Sequence, residues 1–208
     1  MLLNLLQLAD SALPVGGIAH SFGLESLVEW GLVTPDSLER FVEDWLHEAG
    51  FLDAVFCGHA CAEPAEFAAL NVRLAARKPA RESREGSGAM GRRLLDLASR
   101  AFGIQAPAAG EPQYACSFGY VAGALGIPAE RAVPAFLHQS AAAFVSAGQR
   151  LMPLGHTQGQ AILFRLKPAI RATAARSLAA DLDGPSFTPL LEIASMIHQR
   201  LGTRLFIS

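Results

Sequence analysis

The stretch Gln7–Ser26 reads QLADSALPVGGIAHSFGLES and joins two apolar, helix-like segments through a turn at Pro14–Gly17. The proline fixes its own φ and disfavours helix at the residue before it, and the two glycines reach backbone conformations that a Cβ disfavours. We therefore predict a sharp turn between two helices. Beyond it, Ser21 and Glu25 are four residues apart, so a helix would bring both to one polar face, available to solvent or to a partner.

Two catalytic interpretations of this turn are weaker than the structural one. A phosphate-binding loop would carry Lys-Ser or Lys-Thr after its last glycine, and Ile18 and Ala19 stand there instead. A nucleophilic Ser21 with His20 as its base has poor geometry, because neighbours on a helix point about 100° apart and no Gly-x-Ser-x-Gly elbow surrounds the serine. We expect a protein that is not an enzyme.

Composition favours a soluble protein with apolar surface available for another protein. Of the 208 residues, 51% are hydrophobic and only 17% are charged, so charged side chains cover a limited area and some apolar surface should meet a partner. The formal net charge of −2, with scattered cations, argues against nucleic acid as a partner. No run approaches the roughly 18 apolar residues of a membrane span. Three cysteines do not suggest a disulfide framework, and we expect a cytoplasmic protein.

Helical periodicity in nearly every segment, without paired period-two runs, predicts an all-α fold. We expect a single compact domain over residues 1–208 with about eight to ten helices. Thr34 followed by Pro35 predicts a helix start, and the glycine- and serine-rich run Arg81–Gly91 predicts breaks between helices. Residues 114–126 and 134–150 are expected to form central helices, because small residues four apart let another helix approach closely.

Two thiols and an imidazole fall close together at Cys57, His59 and Cys61. On a helix the two cysteines share one side, and His59 points about 200° away from Cys57. One ion could not easily reach all three groups within one chain, so buried cysteines in an alanine-rich helix are the preferred interpretation. The three residues remain weak candidate metal ligands.

The runs DSALPVGG at 10–17 and AHSFGLE at 19–25 resemble the amino-terminal signature of the UreF family of urease accessory proteins. Further landmarks of that family follow in order over essentially the whole chain, namely RESR at 81–84, MGRRLL at 90–95, RLMPLG at 150–155 and RLFIS at 204–208. Two positions depart from the family pattern: His156 replaces the usual Gln, and Ile207 replaces the usual Arg. Partner contacts at those positions are expected to differ.

The resemblance implies an all-helical, dimeric adaptor without a tightly bound cofactor. Members of this family bind the UreD (UreH) scaffold and the GTPase UreG and help to deliver nickel to apo-urease, so nickel is the delivered ion. A nickel-binding storage or sensing protein is the alternative. Carried over position by position, the resemblance implies partner contacts at His20, Ser21, Glu25, Arg150, Gln158, Arg204, Leu205 and Phe206.

Three apolar residues in a row, Leu205, Phe206 and Ile207, follow the helix-ending Gly202. Chain ends are usually polar and poorly ordered, so these side chains need a destination. They either fold back onto their own core or dock on another protein, and the resemblance favours docking on the UreD scaffold.

Glu25 and Arg150 are expected to be surface charges, whose loss should leave the thermal midpoint nearly unchanged.

Overall fold

The computed structural model describes residues 1–108, 110–184 and 186–207, apart from the side chain of Ile18. Within these ranges it contains ten α-helices, three short 3-10 turns and no strand. The predicted all-α class and number of helices are confirmed. The helices are α1 (Leu2–Leu8), α2 (Leu24–Glu29), α3 (Leu38–His47), α4 (Ala49–Ala62), α5 (Phe67–Ala76), α6 (Arg81–Ala101), α7 (Tyr114–Ala124), α8 (Ala129–Leu151), α9 (His156–Leu178) and α10 (Pro189–Ile197), and the 3-10 turns are Gly17–Ala19, Pro64–Glu66 and His198–Arg200.

Helices α4 and α7 pack closely at the centre of the apolar core. Their backbones approach because a Cβ at Gly119 would overlap the carbonyl oxygen of Cys57, and a Cβ at Gly123 would overlap that of Cys61. The small residues four apart therefore serve helix packing, as predicted. Helix α8 packs on both α4 and α9 and completes the centre of the fold.

Helix α6 runs without interruption for 21 residues, so the predicted breaks within Arg81–Gly91 are wrong. The glycines in this run are buried and serve packing: a Cβ at Gly91 would overlap the carbonyl oxygen of Pro112, just before α7. A glycine inside a helix costs about 0.5–1 kcal/mol relative to alanine. The sequence pattern shows this cost, whereas the close contact that offsets it is visible only in the packed structure.

Two predicted helix starts are also displaced. Helix α3 begins at Leu38 because Thr34–Ser37 forms a turn, in which the Thr34 N–H donates to Ser37 Oγ at 2.9 Å. Helix α8 begins at Ala129 and contains Pro134 in its second turn. A proline removes one intrahelical hydrogen bond and crowds the preceding turn, so the sequence favoured a start at the proline itself.

Exposed apolar side chains gather on α1 and α10, at opposite ends of the sequence. Only Leu8 of α1 is buried, so most of its leucine stripe faces solvent instead of the core. None of the described helices is both long and apolar enough to cross a membrane. The large exposed apolar residues of the two helices and the residue before α1 are Met1, Leu2, Leu3, Leu6, Leu190, Ile193 and Met196.

Candidate partner-binding site

The C-terminal residues fold back against the start of α2. The N–H of Ile207 donates to the carbonyl oxygen of Ala19 at 2.8 Å, and the N–H groups of Leu205 and Phe206 donate to the Glu25 carboxylate at 2.7 and 3.3 Å. The Phe206 side chain is 5% exposed, whereas Leu205 and Ile207 are 55% and 67% exposed. Phe206 therefore folds back onto the core of its own chain. Docking of its two neighbours on a scaffold stays a prediction.

Glu25 joins this tail, Leu205–Ile207, to the end of α10 through a buried carboxylate. Its Oε2 lies 2.6 Å from Nε2 of His198, which is completely buried in the turn after α10. A carboxylate only accepts hydrogen bonds, so the imidazole and the two tail amides are its donors. The buried Nδ1 of His198 has no hydrogen-bond partner among the described residues.

Arg150 contacts the same tail from the last turn of α8. Its guanidinium carbon lies 4.3 Å from the centroid of the Phe206 ring, and its Nη2 donates to the Leu205 carbonyl oxygen at 3.4 Å. A cation over an aromatic ring at an exposed site contributes about 0.5–1 kcal/mol. Arg150 is exposed, as expected of a surface charge, but Glu25 is only 5% exposed and that expectation is wrong for it.

His20 and Ser21 are also turned inward, with exposures of 6% and 1%. Because α2 begins only at Leu24, Ser21 precedes the helix, and its Oγ accepts a hydrogen bond from the Glu25 N–H at 3.4 Å. The His20 ring stacks on Phe22 with centroids 5.5 Å apart. Burial, with the nearby positive charge of Arg93, lowers the pKa of His20. The polar face predicted for solvent or a partner is therefore buried against the chain itself.

Two residues with left-handed backbone conformations bring α2 against α10. Phe22 has φ of 48° and Gly23 has φ of 90°, a conformation that costs little for glycine and more for phenylalanine. A Cβ at Gly23 would lie 2.9 Å from Ser195 Oγ, and Ser26 Oγ donates to the carbonyl oxygen of Ala194 at 2.8 Å. This close contact places the buried carboxylate and imidazole within hydrogen-bond distance.

A large cavity of about 1010 Å³ borders the tail. The turn after α1, the C-terminal half of α8 and the start of α10 contribute to its walls, and His20, Arg150, Glu192 and Phe206 line it. The cavity thus connects the candidate residues of the N-terminal signature with those of the tail.

The remaining candidates make different contacts. Gln158 Oε1 accepts the N–H of Gly155 at 3.0 Å and caps the start of α9. Arg204 is exposed, and no hydrogen bond or ion pair joins it to another described residue. Nothing local in the sequence marks His198 as the partner of a carboxylate 173 positions away.

The cysteines lie in the core, as the preferred interpretation held. Cys57 and Cys61 are buried, and Cys61 Sγ donates to the carbonyl oxygen of Ile127 at 3.3 Å. Burial raises the pKa of Cys57 well above its ordinary value and that of Cys61 to about 11, which disfavours the thiolate that a metal needs. Nowhere in the described ranges do three His, Cys, Asp or Glu side chains form a group that could hold a metal ion, so Cys57, His59 and Cys61 do not form one either.

Comparison with known proteins finds relatives that are similar over nearly the whole chain. The family model for UreF matches residues 32–167. The urease accessory protein UreF of Paracoccus denitrificans (strain Pd 1222) is 37% identical over 215 aligned residues, which cover 99% of this chain and 95% of that protein. The proteins of the same name from Actinobacillus pleuropneumoniae and Paenarthrobacter aurescens (strain TC1) are 37% and 34% identical, with 98% and 99% of this chain and 97% of each relative covered. The chain belongs to the UreF family of urease accessory proteins.

Proposed function

We propose that this chain is an adaptor in urease maturation, which binds the UreD (UreH) scaffold and the GTPase UreG as a homodimer and supports GTP-dependent delivery of nickel to apo-urease. The observation that carries the proposal is the similarity to proteins named urease accessory protein UreF over nearly the full length of both chains. Nickel is cargo in this scheme, and GTP hydrolysis belongs to the GTPase, because the chain has no glycine-rich loop followed by Lys-Ser or Lys-Thr. The three free, buried cysteines suit a reducing cytoplasm.

The exposed apolar residues of α10 and the tail are the best candidates for the scaffold contact. Leu190, Ile193 and Met196 recur every three residues and so share one side of α10. Leu205 and Ile207 point outward on either side of the buried Phe206. Burial of one such side chain against a partner contributes about 1.5–3 kcal/mol. Under this proposal Glu25, His198 and Arg150 act indirectly, by holding the tail in the conformation that presents these two residues.

Capture of the purified scaffold by tagged chain tests this assignment. We expect Ile207→Asp to weaken scaffold binding by about tenfold, equivalent to about 1.4 kcal/mol, while the thermal midpoint stays that of the wild type. Val72→Asp is the matched control, because Val72 is 72% exposed on α5, away from the tail. Equal binding by all three proteins would remove the tail from the scaffold contact. We prefer these substitutions to deletion of residues 203–208, which would also remove the buried Phe206.

Urease activation in a reconstituted accessory system tests the function itself. Apo-urease should gain activity from nickel and GTP only when this chain accompanies the scaffold and the GTPase. Equal activation without the chain would contradict the proposal, as would GTP hydrolysis by the chain alone that persists on further purification. Stoichiometric, submicromolar nickel binding by the isolated chain in equilibrium dialysis would instead favour nickel storage or sensing.

A further inference from the structure

A second concave surface lies between the first half of α8 and the second half of α9. It is a shallow groove of about 450 Å³ that is open to solvent, and Leu5 of α1 stands at its edge. None of the candidate partner-binding residues lines it. The groove therefore offers a contact surface independent of the tail.

Three exposed cations face this groove, and none of them has a carboxylate partner in the described part of the chain. Arg131 comes from α8, and Lys167 and Arg171 come from α9. No salt bridge within 4 Å joins any of the three to another described residue. Glu130 is the one acidic side chain among the described residues that line the groove. The groove thus carries a local positive charge on a chain whose formal net charge is −2.

Another cation of α9, Arg165, does have a carboxylate partner. Arg165 makes a two-pronged ion pair with Glu39, with contacts of 2.6–2.9 Å. Lys167 and Arg171 are four residues apart on the same face, where like charges destabilise a helix. The repulsion between these two like charges in the isolated chain would be reduced by an anionic partner that lies across them.

The groove also has apolar lining residues. Pro134, Ala135 and Ile170 contribute its uncharged lining. Lys167 lies 4.5 Å from the centroid of Phe164, a ring that is 69% exposed. The exposed Met1, just before α1, adjoins the same surface, since Arg131 Nη1 lies 3.6 Å from its Sδ.

We propose that this groove binds an acidic amphipathic segment of a partner protein, with apolar side chains against its floor and α1 and carboxylates on Arg131, Lys167 and Arg171. A helix with carboxylates four residues apart matches the spacing of Lys167 and Arg171 along α9. An anionic membrane is a poorer occupant, because a flat surface leaves a groove unfilled and lipid recognition usually uses about four to eight cations. The inference stands whether or not the proposed function is correct.

The test uses a fluorescein-labelled synthetic peptide of about 18 residues, long enough to form a helix, with leucine on one face and glutamate on the other. Fluorescence anisotropy measures its binding to the full chain. We expect the triple variant Arg131→Gln, Lys167→Gln, Arg171→Gln to bind at least about tenfold more weakly. The control variant Arg92→Gln, Arg100→Gln, Arg200→Gln removes the same charge from other exposed positions and should bind within about twofold of the wild type. The single variant Arg171→Gln should show an intermediate loss and covers the case in which the triple variant fails to fold.

Four outcomes would overturn the proposal. The first is no binding of the peptide by the wild type, and the second is equal weakening by the groove and control variants, which would reduce the effect to net charge. The third is binding of phosphatidylglycerol vesicles in place of the peptide. The fourth is a shift of the protein to a smaller species in size-exclusion chromatography when the groove cations are removed, because that result would make a second copy of this chain the occupant.

Discussion

The Nε2 atom of His198 lies 2.6 Å from the Oε2 atom of Glu25, and both side chains are buried. The contact joins residues 173 positions apart and ties the start of the second helix to the end of the last. The same carboxylate accepts two backbone N–H groups of the tail. Its removal would leave the His198 ring and the two tail N–H groups without this acceptor, and an unpaired donor costs about 1–3 kcal/mol where it is buried.

Replacement of Glu25 by alanine should therefore lower the stability of the whole fold. We expect a loss of about 3 kcal/mol, the lower end of the sum for the three donors left without this acceptor, because water can enter near the tail. At about 2–4 °C per kcal/mol for a chain of this size, the thermal midpoint should fall by about 6–12 °C. Glu29→Ala, which removes an exposed carboxylate from the same helix, should change it little. If the two variants melted together, the buried carboxylate would not stabilise the fold as argued.

Within the tail, Phe206 should stabilise the folded conformation, whereas the outward-facing Ile207 should not. Phe206→Ala removes a buried ring and its contact with Arg150, so the amides of Leu205, Phe206 and Ile207 should exchange hydrogen much faster. Ile207→Ala should leave the exchange of these amides nearly unchanged, because that side chain is 67% exposed. Mass-spectrometric hydrogen exchange on the C-terminal peptide measures both. Equal protection in the two variants would mean that the ring does not hold the tail.

Two glycines of α6 should respond in opposite directions to alanine. Gly88→Ala places its Cβ at ordinary contact distances of 3.7 Å or more and should stabilise the helix by about 0.5–1 kcal/mol. Gly91→Ala would overlap the Pro112 carbonyl oxygen and should destabilise by about 1–3 kcal/mol. Urea denaturation of both variants measures the difference. Stabilisation by both would contradict the close contact at Gly91.

The buried thiols should make the fold less stable at alkaline pH. The pKa of Cys61 is raised to about 11, so between the ordinary thiol value of about 9 and this value the unfolded chain releases a proton that the folded chain keeps. Stability then falls as the pH rises through this window. Cys61→Ala should flatten the slope of unfolding free energy against pH above about pH 9. Unchanged slopes in urea titrations of the two proteins would show that the thiol keeps its ordinary acidity in the fold.

Local patterns were sufficient for the fold class and for much of the packing logic. Helical periodicity predicted an all-α fold, and the glycines of the segment 114–126 predicted close helix packing, which Gly119 and Gly123 provide against α4. The same kind of pattern misled at Arg81–Gly91, where glycines read as breaks lie inside one helix. A glycine has the same local propensity in both cases, and only the neighbouring chain decides whether its missing Cβ is used for contact.

The sequence by itself determined the helical class, the absence of a nucleotide loop and, through its landmarks, the family to which the chain belongs. Only the tertiary structure decided that Glu25 is buried, that His198 is its partner and that Phe206 belongs to the core while Leu205 and Ile207 face outward. The physical reason is distance along the chain: propensities and periodicity act over a few residues, whereas the burial of a carboxylate depends on donors that folding brings from positions 198, 205 and 206.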